Sequence, residues 1–259
     1  MAKKQRTIVG SPLTPTLLKE LDALNKLPFT PEDFKPDGNW VSTYRIWTCH
    51  GYRESGNENA GFLRIERIGN SGKTFVLNVH QEVVQTDAII HIIDSTIKCR
   101  NNRLASPVEW RLKSEFIGVD GKHVSELLSS DNGKAAEGVD RTTCDWCLFE
   151  AVQRLALDAQ NSFSFDLLEG MSLKKSDHRL SYRGVTRLKV DGMDIPLHCF
   201  VQLGNGILPY EYWLDSRHRL LAVTSMNKAY ILDEQAEKII RQEVEEARKS
   251  YQRKRKQEQ

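Results

Sequence analysis

The reading of the fold turns on the run from His178 to Asp233, whose centre is Leu188-Lys189-Val190-Asp191-Gly192-Met193-Asp194-Ile195. Asp-Gly between two β-prone runs is a strong hairpin signal, because the two central residues of a type I′ turn need positive φ and this pair tolerates it. Asn205-Gly206 repeats the signal, and Asp215–His218 supplies another tight turn. The runs between the turns are rich in aromatic and β-branched residues: His178–Val190, Met193–Leu203, Ile207–Leu214, Arg219–Ser225 and Ala229–Asp233. Strands joined by such short turns must pair antiparallel, since a parallel return needs a crossover of roughly a dozen residues.

Working outward, the same texture recurs upstream. Trp40–Arg53, Phe62–Ile68, Thr74–Val84, Ala88–Cys99, Val108–Val119, Lys122–Leu128 and Ser162–Leu168 all have strand character. Gly69-Asn70-Ser71-Gly72 and Asp120-Gly121 are turns between them. One amphipathic helix interrupts the series at 142–160. Trp146, Phe149, Ala151, Val152, Leu155 and Ala156 form its apolar stripe, with an N-cap expected at Thr142-Thr143. The predicted fold is mostly β: a strongly curved antiparallel meander sheet, an open or half barrel, around that central helix. A β-sandwich is the alternative. Residues 1–39 are expected to hold a leader, a short helix at Thr14–Leu27 and a loop. Residues 40–233 form one curved β domain, and residues 234–259 a charged C-terminal helix and tail.

The chain has 259 residues, 39% hydrophobic and 28% charged. Mean hydropathy is −0.50. The longest apolar run, Ala88–Ile93, is far short of the ~20 residues of a membrane helix. Net charge is +2, from 37 basic and 35 acidic residues. That balance gives no general argument for a nucleic-acid partner. The five cysteines, Cys49, Cys99, Cys144, Cys147 and Cys199, are too few for a disulfide-stapled domain, and their odd number leaves at least one unpaired. Met1–Gly10 is basic, but Ser11, Pro12 and Pro15 follow where the apolar part of a secretory signal would lie. The expectation is either a cytoplasmic protein, if the chain is complete as shown, or a processed or trimmed chain.

The stretch from Cys144 to Asp233 resembles bacterial domains of unknown function related in shape to the outer-membrane lipoprotein carriers. The landmarks are Thr143, Asp145 and Trp146 at the helix opening, the Val190-Asp191-Gly192 strand end, and the hairpin Tyr210–Asp215 with Arg219–Val223, closing at Tyr230–Asp233. They span about a third of the chain. The resemblance implies a half-open antiparallel barrel packed on a helix, and a periplasmic or cell-envelope setting. It implies no reaction.

Catalytic and metal signatures are weak. Gly69-Asn70-Ser71-Gly72-Lys73-Thr74 lacks the first glycine of a phosphate loop, since Arg67 stands there, and a strand follows instead of a helix. Cys144-Asp145-Trp146-Cys147 has redox spacing at a helix start, where a thiol pKa falls. Asp145 opposes that effect, and one CxxC cannot close a tetrahedral zinc site alone. The seven histidines form no HxH or HExxH pattern. No cofactor signature stands out.

The aromatics are more suggestive. Trp40, Tyr44, Trp47, Tyr210, Tyr212 and Trp213 lie on strands. Trp40 and Tyr44 share one face and Tyr210 and Tyr212 another, with Trp47 and Trp213 opposite to them. In a curved sheet, one face lines a hollow that could hold a ligand. The expected function is therefore non-enzymatic: holding an apolar or amphipathic, lipid-like ligand or a protein partner in the hollow. The alternative is an enzyme, either thiol-redox through Cys144 and Cys147 or a hydrolase with scattered acidic and histidine residues.

Overall fold

The computed structural model describes residues 30–48, 58–69, 72–84, 89–118, 123–130, 139–158, 162–190 and 193–257. The expected helix Thr14–Leu27, the turns Asp120-Gly121 and Asp191-Gly192, and Cys49 lie outside these residues. The strands are β1 (Trp40–Thr48), β2 (Glu58–Gly69), β3 (Thr74–Val84), β4 (Ile90–Arg100), β5 (Pro107–Ile117), β6 (His123–Ser129), β7 (Thr142–Cys144), β8 (Ser162–Glu169), β9 (Leu173–Val190), β10 (Met193–Leu203), β11 (Tyr210–Leu214), β12 (Leu220–Thr224) and β13 (Lys228–Leu232). Two helices join them: α1 (Asp145–Arg154) and α2 (Ala236–Gln257).

All thirteen strands belong to one sheet, in the order β6-β5-β4-β3-β2-β1-β13-β12-β11-β10-β9-β8-β7. The two predicted meanders are thus halves of one sheet, welded where β1 pairs antiparallel with β13, with Tyr44 opposite Leu232 and Ile46 opposite Tyr230. The sandwich alternative does not occur. The sheet is open, with β6 and β7 at its ends. Its one parallel pair is β7 with β8. That pair corrects the expectation of a purely antiparallel meander: β7, α1 and β8 make a crossover, which the three-residue length of β7 hides from periodicity.

Helix α1 is shorter than the predicted 142–160. Thr142 and Thr143 are strand, and the N-cap is Cys144, whose sulfur accepts the Cys147 N–H at 3.3 Å. Thr143 instead donates its hydroxyl to the Leu104 carbonyl at 2.7 Å. Leu155 is extended and ends the helix. Every residue from Trp146 to Gln153 is buried, so α1 runs through the hollow with sheet on several sides.

Alternation places one residue set of each strand on the α1 side. Tyr44, Leu63, Ile65, Leu77 and Ile97 are among these, each at 0% exposure. Phe149 of α1 meets Tyr44 edge-on at 5.3 Å between centroids, Tyr230 at 5.3 Å and Tyr212 at 6.2 Å, bridging both halves of the sheet. The polar members of α1 are matched. Glu150 takes Arg67 at 2.8 Å and Arg154 at 2.6 Å. The Gln153 side chain accepts from the Leu220 N–H at 3.1 Å. Helix α2 lies on the other face, where Ala236 and Ile240 cover Phe62 and Arg241 pairs with Glu82 at 3.2 Å. No helix among the described residues is long and apolar enough to cross a membrane.

Candidate functional site

Helix α1 does not fill the hollow completely. A chamber of about 250 Å³ remains between its first turn and the strands, walled by Asp145, Trp146, Phe149, Tyr210, Tyr212 and Tyr230. Glu169, Gln202 and Lys228 supply further polar wall. The tyrosines arrive there by register. Tyr230 on β13 faces Val223 on β12, which faces Tyr212 on β11, so a row of inward residues crosses three strands. Tyr210 lies two residues before Tyr212 and shares its face.

Asp145 is the first residue of α1, where the helix dipole favours a negative charge. Its carboxylate accepts the Gly170 N–H at 2.8 Å. Gly170 and Met171 both have positive φ, at 54° and 61°, and this tight turn after β8 turns the Gly170 amide toward the helix start. Burial nevertheless raises the Asp145 pKa to about 6; the Gly170 bond pulls it down, Glu169 adds to the rise, and Lys175 and Lys228 oppose it. Tyr210 is pushed up to about 12, first by burial and then by the charges of Asp145 and Glu169. Burial pushes Tyr212 and Tyr230 up as well, again with Asp145 contributing. These phenols are neutral donors and acceptors at any physiological pH.

Two further contacts shape the wall. Tyr212 donates to Gln202 at 2.7 Å, and Gln202 meets His178 at 3.2 Å, which fixes the Tyr212 ring. The Lys228 ammonium stands 6.0 Å from the centroid of the Tyr230 ring, within cation–π range. Glu169 is paired with Lys175 at 2.7 Å, and Lys175 also donates to the Gly206 carbonyl at 2.7 Å, tying the β8–β9 turn to the β10–β11 loop.

No family model matches the chain. No curated protein matches it either. Among solved structures it is similar to a β-barrel-like protein of a domain of unknown function, DUF1849, from Brucella abortus. The identity is 11%, the match covers 76% of this chain and 96% of that one, and the TM-score is 0.46. A likeness this distant says nothing of ligand or reaction.

The aromatics singled out from the sequence fall into three groups. Tyr210 and Tyr212 line the chamber. Tyr44 is fully buried behind it against Phe149. Trp40 shares Tyr44's face but lies at the far end, donating to the Pro36 carbonyl at 3.0 Å. Trp47 and Trp213 are on the opposite face, as their alternation requires; Trp47 carries Arg45 5.7 Å from its ring, and Trp213 donates to Thr224 at 3.1 Å. Asp145, Lys228 and Tyr230 are chamber residues that the spacing argument passed over. A signal was present for Tyr230, which alternates within β13, and for Asp145, which lies inside the Cys144–Cys147 spacing, but Lys228 belongs to no motif.

Cys144 and Cys147 lie with their sulfurs 3.0 Å apart, and Cys99 of β4 is 3.6 Å from Cys147. All three are buried, and burial pushes each thiol up, well above the ordinary range for Cys144 and Cys147. A reactive cysteine needs the opposite. The arrangement instead caps α1 and packs it on β4. Among the described residues no group of histidine, cysteine and carboxylate side chains has the geometry of a metal site. His80, which no motif marked, is held between Asp94 at 2.6 Å and Glu82 at 3.0 Å on the α2 side of the sheet, and Glu82 is the residue that Arg241 of α2 engages. That cluster docks α2 and opens onto no chamber residue.

Proposed function

We propose that this chain is a non-enzymatic binding protein that holds a small amphipathic ligand in the chamber between α1 and the sheet. One observation carries the reading: Tyr210, Tyr212 and Tyr230, the half-buried carboxylate of Asp145 and Lys228 line one recess beside α1. Buried polar groups cost free energy unless they are paired, and a ligand with matching polar atoms recovers that cost. Ligand sites characteristically combine an aromatic wall with a few placed polar groups. The volume of about 250 Å³ lies just under the range of about 300–1,000 Å³ typical of pockets for drug-sized molecules. A small ligand, or the head of a longer lipid-like one, suits that size better than a whole acyl chain. A bacterial envelope setting, taken from the resemblance to the lipoprotein carriers, is part of the same proposal.

Native mass spectrometry of freshly purified protein, followed by organic extraction, tests it. The expected result is a reproducible added mass that Tyr210→Trp, which fills the chamber, abolishes while the fold persists by circular dichroism. A clean apo mass, together with no response of Trp146 fluorescence to any member of a small-amphiphile library, would overturn it.

A further inference from the structure

The chamber has a chemical preference written into its wall. Asp145 shares the chamber wall with the three tyrosines, and its charge bears on Tyr210, Tyr212 and Tyr230 alike. Glu169 lies in the same wall but is already paired with Lys175. Among the described residues no cation stands within ion-pair distance of the Asp145 carboxylate, although Lys175 and Lys228 are close enough for their charges to act on it, so a cation inside the chamber would give it a direct partner. Aromatic faces beside a carboxylate suit an ammonium group, since the ring quadrupole and the charge act in the same sense. The chain supplies an internal example, because Lys228 places its own ammonium over the Tyr230 ring at 6.0 Å.

We propose that the ligand of the chamber carries a protonated amine or a quaternary ammonium, seated between the Asp145 carboxylate and the rings of Tyr210, Tyr212 and Tyr230. This rests on the chamber being a binding site, and it adds the charge and class of the ligand. The apolar remainder of the ligand lies against Trp146 and Phe149. Lys228 is then a competitor: it occupies the Tyr230 face in the free protein and yields it to the ligand's cation. The titrating groups that interact with Asp145 are Glu169, Lys175, Lys228, Tyr210, Tyr212, Tyr230 and Cys144. Burial raises the Asp145 pKa to about 6. Amine binding is therefore full above that pH and weakens below it, as the carboxylate takes up a proton.

Titration calorimetry on the full chain with benzylamine, benzyltrimethylammonium and benzyl alcohol separates the possibilities. At pH 7.5 both cations are expected to bind at least tenfold more tightly than the alcohol, with the margin shrinking as the pH falls through 6. Asp145→Asn, which keeps an oxygen to accept the Gly170 N–H, is expected to bind all three probes about equally. Lys228→Met is expected to tighten the cations severalfold and leave the alcohol unchanged, which a purely structural lysine would not do. Equal affinity for amine and alcohol in the unaltered protein would overturn the cation assignment and leave the chamber as a binding site. Failure of all three probes to bind, with no co-purified mass, would overturn both.

Discussion

Glu150 has no exposure, and its two oxygens are shared between Arg67 and Arg154. Both arginines also lie against Phe75, at 4.3 and 5.6 Å from its centroid; Arg67 is buried there and Arg154 half-buried. Arg67 also donates to the carbonyls of Asp37 and Gly38, which holds the segment before β1 onto the sheet. Removing the carboxylate would leave the buried Arg67 cation facing the half-buried Arg154, and breaking a buried pair in this way costs about 3–5 kcal/mol. Glu150→Gln should therefore lower stability by about that amount in urea denaturation, whereas loss of the exposed Lys98–Glu109 pair should be almost silent. Asp145 behaves in the opposite sense. Its folded pKa of about 6 lies above the ordinary 3.8, so the folded state prefers the neutral acid. The favourable contribution is present below the unfolded pKa and is lost as the pH rises through 6. Asp145→Asn should thus raise the stability of the ligand-free protein at pH 7.5 by on the order of 1–2 kcal/mol, and the gain should vanish near pH 4. Stability curves of the two proteins across that range would show it; a variant less stable at pH 7.5 would contradict it.

Among the elements, β2 is held by a single glycine. Its register with β1 shifts between Ile46 and Trp47, and Gly61 sits at the shift with φ 152°. A Cβ there would stand 2.0 Å from the Glu82 carbonyl oxygen on β3, a backbone atom that cannot give way without parting the strands. Gly61→Ala should cost about 1–3 kcal/mol or more, as overpacking does, and lower the urea midpoint without changing the slope greatly. Helix α1 shows how context overrides local preference. Threonine is a good cap, yet Thr142 and Thr143 are drawn into β7 because pairing with Asp166 and Leu167 of β8 satisfies their backbone. The cap then falls to the Cys144 sulfur, an uncommon choice that burial permits. Strands were easier to read, because Thr74–Val84 and Met193–Leu203 are bounded by turn residues at both ends. Leu173–Asp177 lies outside the expected strand His178–Val190 although β9 includes it, since Lys174, Lys175 and Asp177 break the alternation; Asp177 has φ 63° within the strand.

At the scale of the whole molecule, closure of β1 on β13 joins residues near position 44 to residues near position 232. Such distant pairing must bear a large loop-closure entropy before any contact rewards it. Stopped-flow refolding followed by Trp fluorescence should therefore fall in the range of milliseconds to seconds, and microsecond refolding would contradict the role assigned to that seam. The same closure makes one core from two halves: α1 contacts both, so neither meander can bury its inner face alone. The chamber exists only at this scale. It is the space left where the first turn of α1 meets a three-strand row of inward residues and a turn that follows β8.

Twelve of the thirteen strands, the antiparallel habit of all pairs but one, the single central helix and the charged terminal helix were legible in the sequence, because they follow from alternation, turn chemistry and helical spacing within short windows. The inward face of Tyr210 and Tyr212 was likewise legible, since two residues in a strand always share a face. Only the tertiary structure decided that the two meanders are one sheet, that Cys144 caps a buried helix, and that Asp145, Lys228 and Tyr230 meet those tyrosines. Register between strands far apart in the chain is not encoded in any local window; it is settled by which pairing buries the most apolar surface around α1, and the site is a product of that choice.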